Sequence, residues 1–560
     1  MQFPFENKDE RQNNQSVSEV KKNKRRHNIK ANTSSEIARA TVISMIGFFL
    51  AKVTGFLREV LVVPKLGFGM FSDPYYVAFY IPDLLYALLM GGSVSAAITP
   101  TLSSGIEQNR EKEAWNSVNI FVSVSMVVML VVLLIVAIIM PWLLPAANPA
   151  KAPEIIEAAI PISRILLIQS IFMTLISLTQ GVLTAYKRFG LAAFGVMIYN
   201  IIYMLVLIFL GEQSFQGLRN VAWGVVGAAF IYFVFQLVLS RREISRFRFN
   251  FDYKNPGFKR LLKLAIPTLL SSSVLHVNSL VMNAFTNQFV GASTAIRHAE
   301  QAFMLPYGII AVAVGTVMLP NLTAFYSTRN FKKVRSLYTS SLRRALFLIA
   351  PIATIFFTMN FETIQLIFQW DPTSYTDNDV AIVGNILQWF CFSLMFQTII
   401  YMTNQAFYAR RVTRIVLFNG IVTLILNPIF CVVFTQIFDF GINGIAMAHA
   451  SYSLISATIV YFLYNVHNPK AKPYRILPFL LKLTYCMVVS GLVLAAINTI
   501  PIYSYNKLVQ ILLYLVKALV AIVVFYIAGI SINFKETRDI QKKIWQITGK
   551  IKRQENQHAR

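Results

Sequence analysis

Long apolar runs separated by short polar turns recur along the whole chain of 560 residues. A run of about 20 apolar residues matches the hydrocarbon thickness of a bilayer. By that measure the pattern predicts about 14 membrane-spanning helices, the first over 38–63 and the last over 507–532. The expected fold class is an all-α integral membrane protein. Three segments recur at an offset near 220 residues. GGSVSAAITPTLS (Gly91–Ser103) resembles AVAVGTVMLPNLT (Ala311–Thr323), TQGVLTAYKR (Thr179–Arg188) resembles TNQAFYARRV (Thr403–Val412), and GVVGAA (Gly224–Ala229) resembles GINGIA (Gly441–Ala446). Common order and spacing predict a pseudo-repeat of two parallel six-helix lobes, 37–241 and 262–466, joined by a basic linker, 242–261. Two further helices are expected within 474–533, and polar, basic tails occupy 1–36 and 534–560. Two such lobes predict alternating access, with the substrate site between them.

Composition supports the membrane reading. The chain is 56% hydrophobic and only 14% charged, with a mean hydropathy of +0.56, whereas soluble domains carry about 25% charged residues. Its net charge is +26, which alone could suggest nucleic acid. The distribution excludes that need. Alternate loops hold the cations, among them REKEAW, YKRFG, SRREISRFRFNFDYKNPGFKRLLK, RNFKKVRSLYTSSLRR, ARRVTR and NPKAKPYR. They contain roughly 24 Lys/Arg against about 5 in the opposite loops, the asymmetry expected of cytosolic loops. Both termini are then cytosolic. Residues 1–36 are polar, with KKNKRR well ahead of the first apolar run, so a disordered cytosolic tail is expected there rather than a signal peptide. Cys391, Cys431 and Cys486 all lie in apolar runs without metal-ligand spacing and are expected in the core.

Ionisable residues inside spans are costly and tend to line substrate paths. Lys52 and Arg58 lie on the first span, six residues and about 120° apart on a helix, able to border one broad cavity. Glu59 stands two turns from Lys52 on nearly the same face, so one alternative is that Lys52 pairs with Glu59 or that Arg58 snorkels to the outer interface. An arginine fork matches phosphate oxygens and a lysine adds a point charge, so this pattern predicts an anion-binding cavity. Asp73, in FSDPYY, opens the second span before Pro74. It suits a helix N-cap, and also a gate residue pairing with a cation across the lobes. In the second lobe, TAIRHAEQAFMLPYG brings Arg297, His298, Glu300 and Gln301, with Arg297 and Gln301 on one helical face. Asp83 has an open role. Lys482 is expected to snorkel, while Lys517 lies deeper. No HExxH, Walker A loop or Ser/His/Asp set is present, so a transporter without its own ATPase is expected.

GFLREVLVVPKLGFGMFSDPYYVAFYIPDLL resembles the start of the MurJ/MviN family of lipid II flippases, within the exporter superfamily that includes the MATE transporters; the family pattern is close to SRxxGFxRDxxxAxxFGxGxxxDAFxVAFxxPNLLR. QGVLTAYKRFGLAAF (Gln180–Phe194) and LPYGIIAVAVGTVMLPNLT (Leu305–Thr323) extend the resemblance, which covers 37–532. It implies fourteen helices in two lobes plus two, and translocation of an undecaprenyl-pyrophosphate-linked peptidoglycan precursor between leaflets of the bacterial cytoplasmic membrane. Arg58 and Asp73 match family residues; Lys52 stands at a family cation, and Glu59 replaces an aspartate. The resemblance then implies substrate contacts at Lys52, Arg58 and Arg297, and pairing or gating at Asp73, Glu59 and Glu300. Departures are Tyr86 at a family arginine, Asp83 at an asparagine, Gly91 at a frequent glutamate and Gln301 at the eighth-helix arginine, whose charge Arg297 could supply from one turn away. Coupling to the membrane potential, resetting a net positive cavity, or to a monovalent ion is expected, without a cofactor. The expected partners are a lipid-linked oligosaccharide, membrane lipids and cell-wall synthesis enzymes. Fewer family arginines leave open a different lipid-linked glycan, such as a capsule, exopolysaccharide or teichoic precursor. A cation-coupled drug exporter and a non-transport scaffold are further alternatives.

Overall fold

The computed structural model describes residues 49–538, with residues 47 and 541, apart from 90–92, 150, 187, 290, 411, 474–475 and 500–505. The tail 1–36, most of the tail 534–560 and Gly91 lie outside the described residues. Every regular element among the described residues is a helix. The first, α1, covers 49–66. There follow α2 (Ser72–Leu89), α3 (Ser93–Glu107), α4 (Glu111–Ala147), α5 (Pro153–Ala185), α6 (Phe189–Leu210), α7 (Phe215–Leu239) and the short α8 (Arg241–Ile244). The second half comprises α9 (Pro256–Thr286), α10 (Ala292–Pro306), α11 (Ala313–Ser327), α12 (Phe331–Thr358), α13 (Asn360–Phe368), α14 (Asp377–Ala409), α15 (Thr413–Val432) and α16 (Gly441–His467). The last two are α17 (Leu477–Ile497) and α18 (Lys507–Ser531). Among the described residues, ten helices are long and apolar enough to cross a membrane, so the protein is a multi-pass membrane protein. By length and apolarity these are ten candidates for the fourteen crossings expected. Among the rest, α1 carries Lys52, Arg58, Glu59 and Lys65, α2 is succeeded by the separate α3, and α6 contributes a shorter apolar stretch, Phe194–Leu210.

Helices recur at a fixed interval. α10, α11 and α12 start 220 residues after α2, α3 and α4, at Ala292, Ala313 and Phe331 against Ser72, Ser93 and Glu111. Between α10 and α11 the chain widens into a π-helical segment, Tyr307–Val312, directly after Pro306. Proline has no amide hydrogen and disturbs the regular ladder, and such wide turns recur at functional positions.

Apolar residues gather into one core from Val62 to Ala265 and two main cores from α1 and the second half. Two helices serve both halves. Phe258, Leu261 and Ala265 of α9 pack in the first core, whereas Val60 and Val63 of α1 pack with Ala295, Phe303 and Phe368. A strap before α9 explains the first case. Asn250 is pinned to α4 through its amide on Ser123 Oγ (3.1 Å) and its side chain on Asn116 (2.9 Å). Arg246 pairs with Glu111 and bonds the Tyr186 hydroxyl at 2.6 Å. The Asn255 side chain then caps α9, accepting from Gly257 N at 2.8 Å, with proline in the first turn.

α6 and α7 approach closely through two glycines. A Cβ on Gly195 would overlap the Tyr232 ring, and one on Gly224 would overlap the Val206 methyls. Overpacking of this kind costs about 1–3 kcal/mol or more. Gly224→Val is therefore expected to lower the thermal unfolding midpoint of the detergent-solubilised protein by several degrees. An unchanged midpoint would mean that the two helices separate without cost.

Candidate functional site

Alternation of the helices gives the molecule two ends. The turns at 67–71, 148–149, 211–214, 287–289 and 369–376 share one end, and those near 108–110, 240–255, 328–330 and 468–473 share the other, which carries the basic loops. Between the halves, toward the first end, lies a cavity of about 440 Å³. α1, α2, α5 and α6 line one side, and α9 and α10 the other.

The centre of its lining is a charge cluster. The Arg58 guanidinium pairs with Glu59 Oε1 at 2.7 Å, and Arg297 reaches the same oxygen from α10 at 3.3 Å. The other Glu59 oxygen accepts from the Tyr76 hydroxyl at 3.2 Å. The Glu59 side chain is 3% exposed, against 18% for Arg58 and 40% for Arg297. Arg58 also donates to Asn200 Oδ1 at 3.3 Å and lies 4.8 Å from the Tyr203 ring centroid. Asn200 is oriented in turn by donation to Ala51 O at 3.1 Å, and it rests against Gly55, where a side chain would crowd it. Two arginines thus share one buried carboxylate, which holds both forks between the halves. Arg58 Nε and Arg297 Nε have no partner; donors left unspent in this way suit an acceptor-rich anion.

His298, fully buried, forms a wall beside the cluster. Its ring lies parallel to Phe368 at 4.2 Å, and its Nε2 meets the Tyr76 hydroxyl at 3.3 Å.

A second cluster closes the first end. Asp73 accepts from Gly291 N and Thr294 N, both at 3.1 Å, and from Thr294 Oγ1 at 2.8 Å. Its cation is Lys151, at 2.6 Å, and Lys151 also donates to Ser293 Oγ at 3.0 Å. The two charged side chains are 0% and 1% exposed. Gly291 adopts φ +72, which favours glycine, and its amide is thereby turned onto Asp73. Asn287 donates to Asn148 at 2.5 Å and Gln213 to Ser374 at 2.8 Å, so the halves are bonded together across this end.

Most residues singled out in the sequence reach these clusters, with corrections. Arg58, Glu59, Arg297 and Glu300 line the cavity. Lys52 does not: it is exposed on α1 and absent from the lining, because the six-residue offset turns it away from the face that Arg58 presents. Glu59 accordingly pairs with the two arginines rather than with Lys52. Asp73 does bond across the halves, but through amides and a hydroxyl, and its cation comes from its own half. Glu300 makes no ion pair among the described residues. With Asp83 also in the lining, two arginines face three carboxylates, so the lining is not the net positive one expected. Tyr86 is half-buried outside the lining and bonds Ser177; Gln301 likewise lies off it, whereas Arg297 faces Glu59. Lys482 donates to Ile532 O at 3.0 Å and Lys517 to Asn498 at 3.1 Å, and the three cysteines are buried. Sequence reasoning missed Lys151, Asn200, Tyr203 and the role of Tyr76. The lysine in NPAKAPE reads as an ordinary loop residue, and the others read as polar or aromatic core.

Comparison with known proteins adds the family. The family model described as lipid II flippase MurJ matches residues 62–514. The probable lipid II flippase MurJ of Rhizobium tropici is 24% identical over 371 residues, 65% of this chain and 69% of that one. The lipid II flippase MurJ of Burkholderia cenocepacia is 24% identical over 378 residues, 66% and 73% of the two chains. Among solved structures, a lipid II flippase MurJ in an inward closed conformation superposes with a TM-score of 0.74 at 20% identity, covering 88% of this chain and 99% of that one. An inward-facing MATE multidrug transporter gives 0.63 at 14% identity, covering 77% and 99%. These structural likenesses show that the fold is shared with both. With a family model matching most of its length, around a cavity held by Arg58, Glu59 and Arg297, the chain belongs to the MurJ family.

Proposed function

We propose that this protein is a flippase that carries lipid II, an undecaprenyl-pyrophosphate-linked peptidoglycan precursor, from the inner to the outer leaflet of the bacterial cytoplasmic membrane by alternating access. The observation that carries this reading is the pair of arginines in a cavity between the two halves of a MurJ-family chain. The pyrophosphate accepts hydrogen bonds from the Arg58 and Arg297 forks, which Glu59 pre-orients, and binding energy is not spent on ordering two long side chains. The polyprenyl tail stays in lipid. The basic loops, and with them both termini, are cytosolic, and the helices amount to fourteen crossings in two lobes plus two. The latch at Asp73 and Lys151 then closes the outer end, leaving the cavity to load from the cytosolic leaflet. Breaking that latch while the lobes close on the cytosolic side exposes the cargo outside. Coupling to the membrane potential or to a monovalent ion belongs to the same reading, since one charge crossing 100 mV contributes ~2.3 kcal/mol.

A second reading, a flippase for another lipid-linked glycan, is favoured by one observation. Tyr86 and Gln301, at positions where the resemblance implies arginines, lie off the cavity lining. Complementation separates the two. A bacterium depleted of its lipid II flippase and expressing this chain is expected to grow and to regain surface labelling of lipid II. Absence of growth, with the protein present in the membrane, would transfer the proposal to the second reading.

A further inference from the structure

The arginine forks are gathered near one end of the cavity. The donors, Arg58 and Arg297, lie level with Glu59 and Tyr76, near the latched end. One face of α2 continues past Tyr76 to Tyr80 and Asp83, at helical intervals of four and three residues, and Asp83 lies about 10 Å beyond Tyr76 along the axis. Both residues line the cavity. Beside them, on α5, stands Gln169. It is 6% exposed, its amide nitrogen donates to the Tyr199 hydroxyl at 3.1 Å, and its Oε1 has no partner. An unpartnered amide oxygen nine-tenths buried costs desolvation that only an incoming donor recovers. The Asp83 carboxylate likewise has no ion pair among the described residues.

Phosphate cannot supply that donor, because its oxygens are acceptors at neutral pH. A sugar can. Its hydroxyl and amide hydrogens suit the Gln169 carbonyl and the Asp83 carboxylate, and its C–H face suits an aromatic ring such as Tyr80. We propose that Tyr80, Asp83 and Gln169 form the saccharide subsite of the cavity, one to two helical turns from the arginines, so that the cargo lies with its pyrophosphate toward the latch and its sugar toward the basic end. This rests on the flippase reading and adds the residues that select a glycosylated carrier over the bare polyprenyl pyrophosphate.

The test measures binding of lipid II and of undecaprenyl pyrophosphate to the full-length protein in nanodiscs by native mass spectrometry, with tetraphenylphosphonium as an organic-cation probe. The wild type is expected to prefer lipid II. Gln169→Leu is expected to shrink that preference about tenfold, as is Tyr80→Leu, while Tyr80→Phe keeps it. Tyr80 is half-buried, so its variants report even where the buried Gln169→Leu protein is unstable. Preference unchanged in Tyr80→Leu, or both lipids weakened equally, overturns the subsite and leaves the flippase reading intact. Tighter binding of tetraphenylphosphonium than of either lipid, lost in Asp83→Asn, overturns it in favour of a cation site. Failure of the wild type to bind either lipid removes the flippase reading itself.

Discussion

Glu59→Gln is expected to abolish complementation while leaving the protein in the membrane. In the wild type one carboxylate oxygen bridges Arg58 at 2.7 Å and Arg297 at 3.3 Å. The two guanidiniums are thus within about 6 Å of each other, and with the carboxylate neutralised their repulsion is ~3 kcal/mol at an effective dielectric of 20. Arg58 stays, held by Asn200 and the Tyr203 ring. Arg297 has fewer ties and is 40% exposed, so it is the side chain that swings away. Two pre-aimed forks become one, and transport in a vesicle assay is expected to fall about a hundredfold. Arg58→Ala is expected to do the same from the other side. Arg58→Lys should recover only part of the loss, because an ammonium lacks the planar fork. Wild-type transport by Glu59→Gln would mean that the arginines act independently of the carboxylate.

Asp73→Asn is expected to open the latched end. Lys151 and Asp73 are 1% and 0% exposed, and removal of one member of such a pair leaves an uncompensated buried charge, a penalty of about 3–5 kcal/mol. That charge is relieved when the halves part and water reaches Lys151. The conformational equilibrium should therefore move toward the open end by about two to four orders of magnitude. Spin labels on the exposed residues Glu154 and Asn378, one in each half beside the latch, report it by double electron–electron resonance; the native cysteines are buried. The expected result is a longer, broader distance distribution in Asp73→Asn, with the double variant Asp73→Asn/Lys151→Met, which removes the buried cation as well, closer to wild type. An unchanged distribution in Asp73→Asn would assign the closure to Asn148–Asn287, Gln213–Ser374 and apolar packing instead.

The membrane class, the basic side and the repeat interval are all written in the order of residues. Hydropathy over about 20 residues is a local property, loop cations are counted one loop at a time, and the 220-residue recurrence of helix starts follows a recurrence of short motifs. Arg58, Glu59, Asp73 and Arg297 were legible for a related reason, since a charge within an apolar run is conspicuous whatever surrounds it. What each charge touches was not legible. Glu59 was equally able to meet Lys52 two turns away or Arg297 in the other half, and only the packing of α1 against α10 selected the second. The cation of Asp73 proved to be a loop lysine 78 positions along the chain. Asp83 was conspicuous as a charge but its role was not legible, and Tyr80 and Gln169 had no signal at all, because a tyrosine or glutamine in a buried helix becomes a site only when a cavity forms beside it. Local sequence sets which segments enter the bilayer and which side faces the cations. The distances between side chains from different helices depend on how the helices pack, and the tertiary structure alone decided them.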